Sequence, residues 1–247
     1  MADHQKSVDW TQNNLLNRLR PQDVNLIVPH LKTHRAPPNV VLYKQGQNVD
    51  TVYFPCGATL VSFLIDVEEG TAIETTLIGR EGAVGGIVSH GQLPAYSRIM
   101  VQFGGDFVTL ALPLLEAAKL KSRTLDSLFA RYADCMVAQI FQATACNAAH
   151  TIEQRACKWI DAALERTGTL EVPLTQERLS AMLGVGRSYI SRVIGELKRE
   201  DILRVKRGKI IVNNRDALSR KACNCNESVK EHFKTVLTGV YPTDNEA

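Results

Sequence analysis

Arg187, Ser188, Tyr189, Ser191 and Arg192 crowd into six consecutive positions of the 247-residue chain. Arg offers a planar fork of donors, which can bond guanine O6 and N7 or grip a phosphate, and Ser and Tyr hydroxyls suit phosphates or base edges. Interleaved with them are Ile190, Val193, Ile194 and Leu197, at helical spacing. One face of a helix would be buried and the other would present hydrogen-bonding groups. Downstream, "VKRGKIIV" places Lys206, Arg207 and Lys209 around a glycine turn, as a hairpin gripping a polyanion backbone would.

These groups need elements to hold them. Thr175 is a fitting N-cap for a helix beginning at Gln176, with Leu179 and Leu183 inward. Gly184 stands at the bend, where a positive φ is easiest without a side chain. Helix, glycine turn, second helix and basic hairpin form the plan of a winged helix-turn-helix, whose second helix enters the major groove of double-stranded DNA. Thr175, Gln176, Arg187, Ser188, Tyr189, Ser191, Arg192, Lys206, Arg207 and Lys209 are the expected DNA-binding residues. The plainer alternative is a helical pair with solvated arginines.

Charge points the same way. Residues 170–221 hold twelve Lys/Arg against six Asp/Glu, whereas the chain before them holds 15 against 16. A basic module behind a near-neutral one suits a polyanion partner. The 45% hydrophobic and 22% charged composition is that of a soluble globular chain of one large or two ordinary domains. No apolar run approaches the roughly 20 residues that span a bilayer. The N-terminus "MADHQKSVDWTQNN" lacks an apolar signal core, so a cytoplasmic location, without membrane attachment and with reduced cysteines, is expected.

Upstream, residues 8–35 carry a helical pattern. From Val40 the texture becomes short β-rich runs: "VVLYKQG", "TVYFPCG", "ATLVSFLID", "GTAIETTLIG", "SRIMVQFGG" and "DFVTLAL". Their even spacing predicts an antiparallel sandwich or barrel. After Pro113 the helical period returns, with neither Gly nor Pro between Leu114 and Arg166. Val137 and Phe141 widen its apolar stripe, so Met136, Val137, Ile140 and Thr144 are the expected seam of a homodimer. A helix buried within one subunit is the alternative. The tail "KACNCNESVKEHFKTVL" reads as a last short helix.

The order of parts resembles the Crp/Fnr superfamily of bacterial transcription regulators. The resemblance covers almost the whole chain, through "VYFPCGATLVSF", "GREGAVGG", "HTIEQRACKWI" and above all "LTQERLSAMLGVGRSYISRVIGELKREDILRVKRGKIIV". The tail "KACNCNESVKEHF" looks like one branch of that family. The resemblance implies an α+β fold with an N-terminal antiparallel β-barrel (jelly-roll, cyclic-nucleotide-binding-like), a long dimerisation helix and a C-terminal winged helix-turn-helix. The expected boundaries are 1–120, 121–150 and 151–247. It also implies a non-enzymatic, homodimeric regulator of a palindromic operator that contacts RNA polymerase. Arg187, Ser188 and Arg192 take the base-reading slots. Many relatives carry an acidic residue at the position of Ser188, accepting from a cytosine amino group, so the half-site here should differ.

The sensory region departs from the family pattern. Cyclic-nucleotide binders carry a Gly-Glu and, about ten residues on, an Arg-Ser or Arg-Thr. Gly86 stands where the Glu would be, and Ala95-Tyr96 where the Arg pair would fall. A buried phosphate would lack its counter-charge, so cyclic AMP is not expected to bind in the usual way. Gly85, Gly86, Tyr96, Ser97 and Arg98 remain candidate effector-pocket residues, with the effector unknown and no cofactor expected. The glycines of "GREGAVGG" suit barrel turns better than a phosphate nest. No cysteine precedes Cys56, which disfavours an Fnr-type iron–sulfur centre, and His90 is a weak hint of a haem ligand.

Cys135, Cys146 and Cys157 recur every eleven residues and could share a helix face, meeting their mates across a two-fold axis. Packing as buried small residues is the plainer outcome. Cys223 and Cys225 with His232 could bind zinc but lack a fourth ligand, so no metal is expected. Two other functions compete: a thiol- or metal-handling protein using Cys223 and Cys225, and a DNA-binding dimer whose barrel needs no effector.

Overall fold

The computed structural model describes residues 8–67, 72–86 and 93–238. His90 lies outside them. The chain divides into two compact units. The first comprises Met1–Val61, Ile78–Asp134 and Val236–Ala247, the second Ser62–Leu77 and Cys135–Thr235. In this division residues 62–77 group with the C-terminal part of the chain, and the long helix is shared between the units.

In the first unit the continuous helical pattern expected over 8–35 is broken up. Two 3-10 turns, Trp10–Gln12 and Leu16–Arg18, precede helix α1, Pro21–Ile27, and a third follows at Val28–His30. Buried Asn13 is one cause. Its Oδ1 accepts from the backbone N–H groups of Leu15 and Leu16, both at 3.1 Å. Its Nδ2 donates to the carbonyls of Pro55 and Gly82, at 2.9 and 2.8 Å. A buried amide so satisfied competes directly with the helix ladder. Pro21 and Pro29, which have no N–H to give, set further limits.

All six β-rich runs form strands. Before them comes one the sequence pattern did not signal, β1, Lys32–Ala36. Its alternation is polar, and pairing with β7 places it. Then follow β2 (Val41–Tyr43), β3 (Thr51–Pro55), β4 (Leu60–Asp66), β5 (Ala72–Ile78), β6 (Arg98–Phe103) and β7 (Gly105–Ala111). One antiparallel sheet runs β1-β7-β3, and β2 pairs antiparallel with β6 across a register shift between Val41 and Tyr43. Helix α2, Leu112–Lys121, follows with Pro113 in its first turn, and helix α3 spans Arg123–Ala149. Phe54, Phe107, Phe129 and Tyr132 are fully buried in this unit. The Tyr132 hydroxyl accepts from the Ala83 N–H and donates to the Ala83 carbonyl, at 2.9 and 3.0 Å, tying α3 to the loop after β5. Buried Asp23 accepts from Ser122 and Thr124, at 2.5 and 2.9 Å, and so joins α1 to the start of α3.

The second unit is built on helix α4, Ile152–Thr167. Thr151 and Gln154 form a reciprocal capping box at its start, and Gly168 closes it in the left-handed region. After it come β8 (Glu171–Val172), α5 (Gln176–Leu183), α6 (Arg187–Arg199), β9 (Leu203–Lys206) and β10 (Lys209–Val212). Helices α7 (Arg215–Lys221) and α8 (Cys225–Leu237) complete it. The small sheet has the order β8-β10-β9. Asp161, on α4, accepts from Arg215 and Ser219 of α7, at 3.0 and 3.2 Å.

The hairpin of β4 and β5 meets α4 through Glu74. Its carboxylate accepts from Trp159 Nε1 at 2.5 Å and from the Ser62 hydroxyl. Burial pushes this carboxyl up to about 7, against the opposing hydrogen bonds of Ser62 and Trp159 and the charges of Arg166 and Lys158. Between the ordinary carboxyl value and about 7, the folded protein holds a proton that the unfolded chain has released. Stability therefore falls as pH rises through this window, and the full cost is present above it. Glu74→Gln should raise stability at about pH 8, by up to about 3 kcal/mol, and have little effect near pH 5. Thermal melts of both proteins at the two pH values test this, and equal gains at both would remove Glu74 as the cause.

Candidate nucleic-acid interface

Helix α5 starts where the Thr175 side chain accepts from the Arg178 N–H at 3.2 Å. Leu179, Met182 and Leu183 are buried. The turn needs Gly184: its φ is +66°, and a Cβ there would come within 3.3 Å of Ile73 Cδ1. Before the turn, the guanidinium of buried Arg155 donates to the Leu183 carbonyl at 3.0 Å, satisfying an end group of α5. This gives a structural role to the arginine of "HTIEQRACKWI", which the sequence offered only as part of a motif.

Gly186 precedes α6 and supplies no side-chain cap. The positive end of the helix dipole there is of the kind that suits an anion. Ile190, Val193, Ile194 and Leu197 are buried, while Arg187, Ser188, Tyr189, Ser191 and Arg192 are all exposed. The Arg192 guanidinium lies over the Tyr189 ring, 5.6 Å from its centroid. Stacking of this kind holds a long side chain in fewer conformations. Ser191 donates to Gln176 Oε1 at 2.9 Å and so links the starts of the two helices.

The hairpin of β9 and β10 leaves Lys206 and Arg207 exposed at its tip. Lys209, the third expected wing cation, forms an ion pair with Glu171 on β8 and is partly covered. Arg204 was missed by sequence reasoning. It is exposed two residues before Lys206 on β9 and so shares its face. The period-two alternation of "LRVK" was the available signal.

The five candidate effector residues all fall in the first unit. Tyr96 is 81% exposed, Ser97 is buried and Arg98 begins β6. Gly86 has φ +56°, and a Cβ on it would lie 2.6 Å from Leu112 Cδ1. Gly85 has φ +90° and would meet the Thr51 carbonyl at 2.5 Å. No side chain, glutamate included, fits at either position without displacing its neighbours.

The cysteines are arranged differently from the sequence expectation. Helix α3 ends at Ala149 and Thr151 caps α4, so Cys157 sits on a separate helix from Cys135 and Cys146. The eleven-residue recurrence is therefore interrupted and no single helix face carries all three. Cys223 and Cys225 do have further donors: they converge with Cys146 and His150, all four ligand atoms lying within 4.8 Å of one another. His232 is not part of this group. The overlooked signal was Cys146-x-x-x-His150, with Cys146 in the last turn of α3 and His150 directly after its end. Burial pushes the Cys223 thiol up to about 12. At Cys146 burial acts upward too, but the Lys158 ammonium and neighbouring hydrogen bonds outweigh it and hold the thiol below its usual value.

Residues 154–221 match the family model of the Crp-like helix-turn-helix domain. No curated protein matches the sequence. Among solved structures, FixK2 from Bradyrhizobium japonicum is similar at TM-score 0.66 and 12% identity, over 78% of this chain and 98% of that one. A CRP-family transcriptional regulator from Thermus thermophilus is similar at TM-score 0.64 and 15% identity, over 76% and 96%. The c-di-GMP-responsive regulator CLP from Xanthomonas campestris is similar at TM-score 0.62 and 12% identity, over 78% and 99%. At these identities the likeness shows the α+β fold. The matched domain makes residues 154–221 a Crp-like helix-turn-helix, a DNA-binding module.

Proposed function

We propose that the protein binds a palindromic operator as a homodimer, with Arg187, Ser188 and Arg192 reading bases and Lys206 and Arg207 gripping phosphates. The observation that carries this reading is α6, whose apolar side is buried while all five hydrogen-bonding residues at its start are exposed. Thr175, Gln176, Tyr189 and Ser191 position the helix or bond the backbone, and Lys209, engaged with Glu171, braces the wing. Arg204 joins the phosphate-gripping set through its place on β9.

Dimerisation runs through the second half of α3. Val137 is 45% exposed, Ile140 42% and Phe141 70%. Together with Met136 and Thr144 they form an apolar stripe at three- and four-residue steps, such as a partner helix covers. The protein is a non-enzymatic transcription regulator of the Crp/Fnr type, working in the cytoplasm and contacting RNA polymerase, as the resemblance of its parts to that family implies. No helix among the described residues is long and apolar enough to cross a membrane. Selection of binding sites from a random DNA pool tests the core of this reading. A two-fold-symmetric site with half-sites about 34 Å apart is the expected result, and a non-palindromic site would overturn it.

The sensory unit does not use cyclic AMP in the usual way. Gly86, whose φ of +56° disfavours any side chain, stands in place of the ribose-binding carboxylate, and Ala95 and Tyr96 replace the phosphate-binding pair. Calorimetry with cyclic AMP should show no micromolar binding, and the nucleotide should leave operator affinity unchanged. Saturable micromolar heat would sink this inference.

A further inference from the structure

Cys146 lies in the last turn of α3, and His150 follows its end, its N–H donating to the Cys146 carbonyl at 3.1 Å. Cys223 lies between α7 and α8, and Cys225 opens α8. Cys146, Cys223 and Cys225 are buried and cluster together, and His150 is half-buried. Cys146 Sγ is 3.6 Å from Cys223 Sγ, and Cys225 Sγ is 3.6 Å from His150 Nδ1. A tetrahedral zinc ion with ordinary bond lengths sets its ligands about 3.8 Å apart for two sulfurs and about 3.6 Å for sulfur and nitrogen. Two opposite edges of such a tetrahedron thus lie close to their ligated length, and the other four are no longer than 4.8 Å.

The surroundings fit as well. Gln142 Nε2 donates to Cys225 Sγ at 3.2 Å and the Lys158 ammonium donates to Cys146 Sγ at 3.3 Å. Three thiolates and one Zn²⁺ leave a net charge of −1, which the Lys158 ammonium offsets. Hydrogen bonds from outer groups of this kind orient metal ligands. Sulfur and imidazole donors select zinc over calcium or magnesium, and four protein ligands leave no open position for catalysis. A Cys146–Cys223 disulfide would leave the convergence of Cys225 and His150 unaccounted for.

We propose that Cys146, His150, Cys223 and Cys225 bind one zinc ion, which fastens the last turn of α3 to the α7–α8 junction. Binding takes Zn²⁺ from solution and releases the three thiol protons to the buffer. The ion closes a chain separation of 77 residues between Cys146 and Cys223. It fixes the end of α3 against the helices that follow the wing.

The inference does not rest on the operator reading. The test uses full-length, reduced protein purified without chelator. Native mass spectrometry and elemental analysis should find one zinc per chain. After chelation, cobalt(II) should bind at one equivalent with the ligand-field absorption of a tetrahedral site and thiolate-to-cobalt charge transfer. Cys225→Ser and His150→Ala should lose this spectrum, and Cys56→Ser, in the other unit, should keep it. Re-addition of zinc should raise the melting temperature of the stripped wild type. Wild-type protein that takes up no cobalt after reduction, or a Cys225→Ser protein with an unchanged spectrum and stoichiometry, would overturn the proposal. Iron in place of zinc would do so too. Because the wild-type cobalt spectrum is decisive alone, a variant that fails to fold leaves the test intact.

Discussion

Ile140→Glu should turn the protein into a monomer and weaken operator binding by about 10²–10⁴-fold, the advantage that linking two binding modules confers. Ile140 is 42% exposed on α3, between Val137 and the more exposed Phe141. At a two-fold axis the new carboxylate would face its own copy or apolar side chains, and neither arrangement solvates it. The residue contributes little to the interior of its own chain, so the fold should survive. Sedimentation velocity reports the mass, circular dichroism the helix content, and anisotropy with a labelled operator the affinity. A variant that stays dimeric would remove α3 as the seam.

Arg192→Ala should cost about 1–3 kcal/mol and relax preference at one base position in each half-site, if its two donors meet a guanine. Its guanidinium is already held over Tyr189, so part of the ordering cost is met before DNA arrives. Lys206→Ala with Arg207→Ala should act differently. Affinity should fall for every sequence alike, and the slope of log affinity against log salt should flatten by about 0.9 for each phosphate that is no longer neutralised. The preferred sequence should not change. Site selection and salt titration on wild type and both variants separate the two roles. An unaltered sequence preference for Arg192→Ala would mean the reading head lies elsewhere on α6.

Local order carried much of this architecture. The helix-turn-helix was legible because its signals are all short-range. A capping Thr175, a glycine where φ must be positive, and apolar residues at helical steps each act within a few positions. The six β-rich runs were legible for the same reason. Where side chains act over long separations, the pattern misled. Asn13 breaks the N-terminal helix by bonding partners 42 and 69 residues away, and polar β1 becomes a strand only because β7 pairs with it.

The chain by itself determined the class of its DNA-binding half: spacing alone places the buried and exposed faces of α6, and composition gives that half its positive charge. It also places Gly86, Ala95 and Tyr96 where the family resemblance implies the charged groups of a cyclic-nucleotide site, the basis of the proposal that cyclic AMP is not used in the usual way. Tertiary structure decided what those glycines are packed against, that Lys209 is paired with Glu171, and that Arg155 anchors the end of α5. It alone joined Cys146 and His150 to Cys223 and Cys225. Helical periodicity places neighbours three or four residues apart, and it contains no term for residues 77 apart that meet only after α4 to α7 have folded back upon the end of α3.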